Sequence, residues 1–219
     1  MIHAVTAANR HLYASQIDEM HRLRWRFFIE ERGWKALEAL QTHHGFERDE
    51  LDDERAVYFM ALSDEGHVQA AMRIRPADDR SIVADLFPDL IDEETRASFG
   101  PNDWEITRTL RAPELEKEDG KLRLRLTCAA CEFALLHGIE RYVCLVDTFL
   151  LPSMRALNRE KHQVISLPQP YAEGEMVAVE LHPDEQWLER ARKLGGFTGP
   201  MLLERSIGAG RTHTPVTIQ

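Results

Sequence analysis

The sequence predicts an α/β (α+β) domain, a three-layer sandwich in which helices flank a mixed central sheet. Short apolar runs of strand character alternate with stretches of helical periodicity along most of the chain. A hairpin signal, Ser63-Asp64-Glu65-Gly66-His67, joins two of the runs early. At 219 residues and 43% hydrophobic content the chain also has enough apolar material for a full core.

The elements follow in order. A short strand is expected at 2–5 and a long amphipathic helix at 13–31, with Tyr13, Ile17, Met20, Phe27 and Phe28 on one apolar stripe. The polar stretch at 35–55 lacks sustained periodicity. Trp34 and Phe46 frame it, which favours an ordered loop or lid over disorder. Strands at 56–62 and 68–75 flank the hairpin, and Pro88 sits in a short amphipathic piece at 86–91. A strand at 104–110, a helix at 122–137 stopped by Gly138, and a strand at 142–146 come next. A helix at 152–159, strands at 163–167 and 176–181, and a helix at 184–193 complete a single domain over 1–205. Residues 206–219 read as a mobile C-terminal tail.

Composition narrows the function. A net charge of −10 counts against nucleic acid as a partner, because phosphate binding needs a basic face. No run approaches the ~18 apolar residues that a membrane span requires. The segment Met1-Ile2-His3-Ala4-Val5 has neither the basic nor the apolar part of a signal peptide, so a cytoplasmic protein is expected. Cys128, Cys131 and Cys144 all lie in apolar segments and read as reduced core thiols. No metal site is expected: Cys128-x-x-Cys131 has no second pair, and His43-His44 reads as exposed loop. Neither Gly-x-Gly-x-x-Gly nor Gly-x-Ser-x-Gly occurs, which counts against Rossmann methyltransferases and common serine hydrolases.

Six ionisable residues stand out: Arg24, Asp49, Asp52, Arg73, Glu105 and Arg108. Arg24 lies on the apolar stripe of the first helix, and Arg73, Glu105 and Arg108 lie in apolar strands. Charged side chains are seldom buried unless paired, so the six suggest one shared polar cavity. From residue chemistry alone this is either an active site or a buried salt-bridge network that organises the fold. Glu105 and Arg108 are three apart and face opposite sides of a regular strand, so sharing a cavity requires a bulge, expected near Ile106–Thr107.

Four motifs then carry a resemblance. Arg24-Trp25-Arg26-Phe27-Phe28 with Glu30-Glu31-Arg32-Gly33-Trp34 is similar to the opening signature of the acyl-homoserine-lactone synthases, the autoinducer synthases of bacterial quorum sensing. Gly45-Phe46-Glu47-Arg48-Asp49-Glu50-Leu51-Asp52 resembles that family's acidic loop, Ala71-Met72-Arg73-Ile74-Arg75-Pro76 its arginine strand, and Trp104-Glu105-Ile106-Thr107-Arg108 its Glu-x-Ser/Thr-Arg strand. The motifs occur in order over roughly residues 20–110. Pro168-Gln169-Pro170-Tyr171 departs from the family pattern and points to an unusual acyl pocket.

The resemblance implies an N-acetyltransferase-like (GNAT-like) fold and, as substrates, S-adenosylmethionine with an acyl thioester on acyl carrier protein or coenzyme A. No cofactor is implied. The α-amine of S-adenosylmethionine must lose a proton before it attacks the thioester, and Glu105 is the candidate base, its pKa raised by burial and opposed by Arg108. Arg24 or Arg108 would pair the substrate carboxylate. Asp49 and Asp52 suit the amine and sulfonium, and Arg73 would hold the acidic loop. Phe28 and Trp34 would wall the adenosine or the start of the acyl channel, although Trp34 is also readable as core. Thr148 either faces the third carbon of the acyl chain or caps the next helix. The absence of a Gly-rich coenzyme A turn tilts the donor towards acyl carrier protein, with Arg155, Arg159 and Lys161, or Lys121, Arg123 and Arg125, as a docking patch. The rival readings are a coenzyme A-dependent N-acyltransferase acting on another amine, and a non-catalytic ligand-binding module.

Overall fold

Nine strands form one mixed sheet in the computed structural model, which describes residues 1–34, 38, 41, 43–157, 162–171 and 174–204. They are β1 (Ile2–Val5), β2 (Val57–Leu62), β3 (Val68–Pro76), β4 (Asp103–Arg111), β5 (Arg141–Asp147), β6 (His162–Val164), β7 (Gln169–Tyr171), β8 (Gly174–Leu181) and β9 (Leu202–Glu204). Their order is β6-β8-β5-β4-β3-β2-β1-β9, and β7 pairs with β8 beside this path. The helices are α1 (Ala14–Arg24), α2 (Ile82–Asp85), α3 (Glu93–Ala97), α4 (Asp119–His137), α5 (Leu151–Leu157) and α6 (Glu185–Gly195).

Period-two burial sends alternate residues of each strand to opposite faces. Phe59, Met72, Ile74 and Tyr142 meet α4 and α6 through Leu126, Phe133, Trp187 and Leu188. On the other face Tyr58, Met60, Ala71 and Leu110 meet Tyr13 and, on α1, Met20 and Leu23. Further along that face, Val143 and Ala178 lie under Val83, Leu90 and Ile91. The second face is therefore covered at both ends by different segments, with a cleft between them.

The sheet opens beneath that cleft. Parallel pairing of β4 with β5 runs from Asp103 opposite Arg141 to Ile106 opposite Cys144 and then stops. Beyond that point β4 follows β3 as far as Arg111, and β5 follows β8 as far as Asp147. The two strands part, and their outer halves edge the cleft.

Several elements differ from the sequence reading. The first helix is α-helical only to Arg24. From Trp25 to Glu31 it widens into a π-helix, with Arg32 N–H donating to Phe27 O five residues back at 3.0 Å. The wider turn re-phases the stripe, so Trp25, Phe27, Phe28 and Ile29 are all buried. Gly33 follows in the left-handed backbone, φ 67°, which a Cβ would resist.

The amphipathic piece expected at 86–91 is a run of turns between α2 and α3; its Leu90 and Ile91 are buried without a helix. The strand expected at 163–167 is only β6, His162–Val164, and β7 was not among the expected strands. Pro170 is tolerated because β7 is an edge strand that pairs only with β8. β9 is three residues long, too short to show a period. It is held by Glu132, which accepts from Met201 N–H and Leu202 N–H at 2.9 and 2.7 Å. The helix expected at 122–137 starts one turn earlier, at Asp119, and ends at Gly138 in the left-handed region, φ 69°.

Of the helix expected at 152–159, residues 158 and 159 lie outside the described residues, as do part of the 35–55 stretch and the tail at 206–219. The three cysteines are free and buried, which pushes Cys128 up to about 11 and Cys131 and Cys144 to about 12. These thiols are inert packing groups.

Candidate active site

Three arginines and three carboxylates converge at the floor of the cleft. Arg24, 1% exposed, donates through Nε to Glu47 and through Nη1 to Asp52 Oδ1 at 2.7 Å. Arg73, also 1% exposed, forks onto both oxygens of Asp49, with Nη2–Oδ2 at 3.0 Å, and lies 3.0 Å from Asp52 Oδ1. Its Nε donates to Thr107 Oγ1 at 2.9 Å. Arg108 donates to Glu47 Oε1 at 3.1 Å and to Asp49 Oδ2 at 2.7 Å. Tyr58 hydroxyl donates to Asp52 Oδ1 at 3.0 Å.

The six charges cancel, which is what allows them to be buried together. Burial works against ionisation of Glu47, Asp49 and Asp52, yet the guanidinium groups prevail and hold all three below the usual carboxylate range. Asp52 lies well below it.

The loop that carries the acids is pinned to α1. Glu47 N–H donates to His21 O at 3.1 Å, and His21 Nδ1 lies 2.8 Å from Glu47 O. Asp49 N–H donates to Asp52 Oδ2 and Leu51 N–H to Asp49 Oδ1, both at 2.9 Å. The acidic segment is thus an ordered loop, and Arg73 pairs with its Asp49 and Asp52.

The bulge exists, two residues further along than expected, at Arg108–Thr109 instead of Ile106–Thr107. Ala71 pairs with Leu110 and Arg73 with Thr107, so Arg108 and Thr109 together oppose the single residue Met72. Arg108 takes the left-handed backbone, φ 52°, and its side chain turns to the acidic loop.

Glu105 is not part of this network. It is 2% exposed, and its carboxylate accepts from Ser81 hydroxyl, Ile82 N–H and Val83 N–H, each at 2.9 Å. It therefore anchors the start of α2 to the sheet, and Glu47 occupies the place expected for it among the arginines. Burial raises the pKa of Glu105 against those three donors, and the cation that opposes the rise is Arg73, not Arg108. Glu47 was legible in the acidic motif; Thr107, Tyr58 and His21 carried no signal beyond their place in apolar elements.

Above the ions lies an aromatic wall. Phe28 stacks on Trp34 with ring centroids 4.7 Å apart, and the Arg108 guanidinium sits 5.8 Å from the Phe28 centroid. A cavity of about 460 Å³ opens beside Trp34, lined also by Glu31, Asp147, Phe149 and Tyr171. Thr148 lines it too, and among the described residues its hydroxyl caps no helix. Arg32 bridges the mouth to Asp147 at 3.2 Å. No group of metal-ligating side chains occurs among the described residues, and no helix among them is long and apolar enough to cross a membrane.

Known proteins resemble this chain in sequence and fold. The family model described as Autoinducer synthase matches residues 8–191. The isovaleryl-homoserine lactone synthase of Bradyrhizobium diazoefficiens is 38% identical over 153 residues, 69% of this chain and 66% of that protein. The solved structure of BjaI, a coenzyme A-dependent acyl-homoserine lactone synthase with S-adenosylmethionine and isopentyl-coenzyme A, is 29% identical with a TM-score of 0.80 and 95% of both chains covered. A putative N-acetyltransferase from Lactobacillus plantarum, 13% identical with a TM-score of 0.55 over 84% of this chain and 96% of that one, shares the fold alone. With the family's four motifs gathered around one cleft of an N-acetyltransferase-like sheet, the chain belongs to the autoinducer synthases, the acyltransferases that make acyl-homoserine lactones.

Proposed function

We propose that this enzyme acylates S-adenosylmethionine from a short or branched acyl-coenzyme A and closes the product to the N-acyl homoserine lactone. The observation that carries the reading is the neutral Arg24–Arg73–Arg108 network, which holds Asp49 and Arg108 at the cleft beside Phe28 and Trp34. Asp49 and Arg108 are its more exposed members, at 23% and 8% of their side chains. In this reading they touch substrate: Asp49 faces the cationic amine and sulfonium, and Arg108 the carboxylate. Arg24, Asp52 and Arg73 position them, Phe28 and Trp34 wall the substrate, and Thr148 lines its approach.

Glu105 is the candidate base. Three donors occupy three of its four lone-pair positions, leaving one for the substrate amine or a water between them. Once deprotonated, the amine attacks the thioester carbonyl, the C–S bond breaks, and coenzyme A leaves as its thiol. The methionine carboxylate then attacks its own γ-carbon, and the C–S⁺ bond breaks to release neutral methylthioadenosine. The second step annihilates a carboxylate and a sulfonium, so a water-poor cleft favours it.

Coenzyme A is preferred to carrier protein as the donor because the Bradyrhizobium relative is named for an isovaleryl product and BjaI for coenzyme A dependence. This reverses the tilt drawn from the missing Gly-rich turn. The sheet that runs from Ile2 to Glu204 supports a single domain over 1–205. The substrates are cytoplasmic metabolites, so the protein belongs in the cytoplasm.

The test supplies S-adenosylmethionine with isovaleryl-coenzyme A, longer acyl-coenzyme A donors and acyl carrier protein thioesters. Methylthioadenosine release together with the mass of an N-acyl homoserine lactone is the expected result. Absence of both with every donor overturns the reading.

A further inference from the structure

Tyr171 belongs to Pro168-Gln169-Pro170-Tyr171, a segment unlike the family pattern that the earlier motifs resemble, yet it stands in the cleft. It is the last paired residue of edge strand β7, directly across from Gly174, whose missing side chain leaves the cavity wall open beside the phenol. Its ring meets Trp34 edge to face, centroids 5.1 Å apart at 80°, and meets Phe87 at 5.8 Å and 78°. Trp34 comes from the α1 side of the cleft and Phe87 from the α2–α3 side, so the phenol is fixed between both walls. Fixed aromatic rings cost little ordering entropy on binding.

Three features show that the ring is more than packing. It is half-buried and lines the cavity instead of closing into a core. Its hydroxyl makes no hydrogen bond among the described residues. Burial pushes that hydroxyl's pKa up, with Arg108 pulling it down and Asp147 adding to the rise, so the phenol stays neutral beside the cavity it lines.

The charge of the cavity selects between the two substrates. Glu31, Asp147 and Glu175 line it; Arg111 answers Glu31 and Arg32 answers Asp147, but Glu175 has no ion pair among the described residues. A surplus negative charge repels the diphosphate of coenzyme A and attracts a sulfonium. At about 460 Å³ the cavity also has the size of a small-molecule site.

We propose that Tyr171 is a substrate-binding residue of the S-adenosylmethionine half of the cleft, its phenol forming with Trp34 the aromatic corner that holds the adenine ring. The proposal rests on the synthase reading above and adds to it the residue that grips the nucleoside. The ring does the binding, by stacking on the base; the hydroxyl is secondary.

The experiment titrates methylthioadenosine, which carries the nucleoside without the amino acid, into the wild-type protein and into Tyr171→Phe, Tyr171→Leu and Tyr171→Ala, with steady-state kinetics alongside. Leucine keeps apolar bulk in the hairpin, so a weakened Tyr171→Leu with an unchanged melting temperature separates lost stacking from lost folding. The expected result is methylthioadenosine affinity weakened about tenfold or more in the leucine and alanine variants and retained within about twofold in phenylalanine. KM for S-adenosylmethionine should rise with it, while KM for the acyl donor holds. Unchanged nucleoside affinity in the leucine variant, or a rise in donor KM instead, overturns the assignment; so does a phenylalanine variant as weak as leucine. Failure of the wild-type protein to bind either methylthioadenosine or S-adenosylmethionine strikes the synthase reading itself, a separate outcome.

Discussion

Arg108 meets Asp49 at 2.7 Å from a left-handed backbone, φ 52°, the one positive φ at a non-glycine residue among the described residues. The strained bulge is what turns Arg108 towards the acidic loop, and the ion pairs keep it there. Arg108→Gly and Arg108→Ala delete the same contacts but differ in tolerance of that backbone. We expect the glycine variant to be more stable than the alanine variant by roughly 1 kcal/mol in urea unfolding, the reverse of their order in a regular strand. Both should lose turnover by more than tenfold. An alanine variant at least as stable as the glycine variant would mean that the bulge needs no left-handed residue.

Arg24 is the cation that Glu47 and Asp52 share, and it is buried. Arg24→Met keeps the volume but takes one of two guanidinium partners from each of two buried carboxylates and leaves the site one cation short, so unfolding should cost about 3–5 kcal/mol less than in the wild type. Tyr58→Phe removes a single hydrogen bond to Asp52 and should cost about 1 kcal/mol. Equilibrium denaturation of the two variants compares them directly. Equal losses would show that the network is not electrostatically coupled.

The parts of this architecture that follow from one-dimensional rules were legible. Arg24 and Arg73 lie in apolar elements, and a buried cation needs an anion, so a polar cavity followed. The same rule cannot say which anion. Glu105 is answered instead by backbone N–H groups at the start of α2, a four-residue helix with no period to detect, and by Ser81 hydroxyl. The π-turn at Trp25–Glu31 breaks the 3.6 period that reveals helices, and Pro170 masks β7 because its edge position depends on the whole sheet. Tyr171 reaches the cleft only through that strand.

His21 couples the acidic loop to pH. Burial, aided by Arg24, lowers its pKa to about 4, although Asp52, Glu47 and the contact with Glu47 O pull the other way. The folded state therefore holds His21 neutral while the unfolded chain takes up a proton near 6.5. Its contribution is fully present above pH 6.5 and is lost as the pH falls to about 4, at up to about 1.4 kcal/mol per pH unit. Glu47, Asp49 and Asp52 are depressed carboxylates, so their contribution is lost only at lower pH. His21→Gln should flatten the difference in stability between pH 6.5 and 4 and leave the steeper acid limb in place. Identical pH–stability curves for the two proteins would remove His21 from the account.

Glu105 carries two roles that one substitution separates. As a tether it accepts from Ser81, Ile82 and Val83; as a base it takes a proton from the substrate amine. Glu105→Gln keeps an oxygen for Ser81 and Val83 but turns an NH₂ towards Ile82 N–H, a loss of about 1–3 kcal/mol that removal of a buried charge partly offsets. Burial raises the pKa of Glu105, so ionised Glu105 detracts from stability as the pH climbs through its folded value, and glutamine is free of that cost. Stability at neutral pH should therefore change little. A base lost from the rate-determining proton transfer lowers turnover by about 10²–10⁴-fold. It also removes the acidic limb of the kcat profile, whose midpoint in the wild type should lie above the ordinary glutamate value. Turnover within tenfold of wild type with that limb intact would leave Glu105 as the tether of α2 alone, and a water held by the Asp49–Arg108 pair would then have to carry the proton.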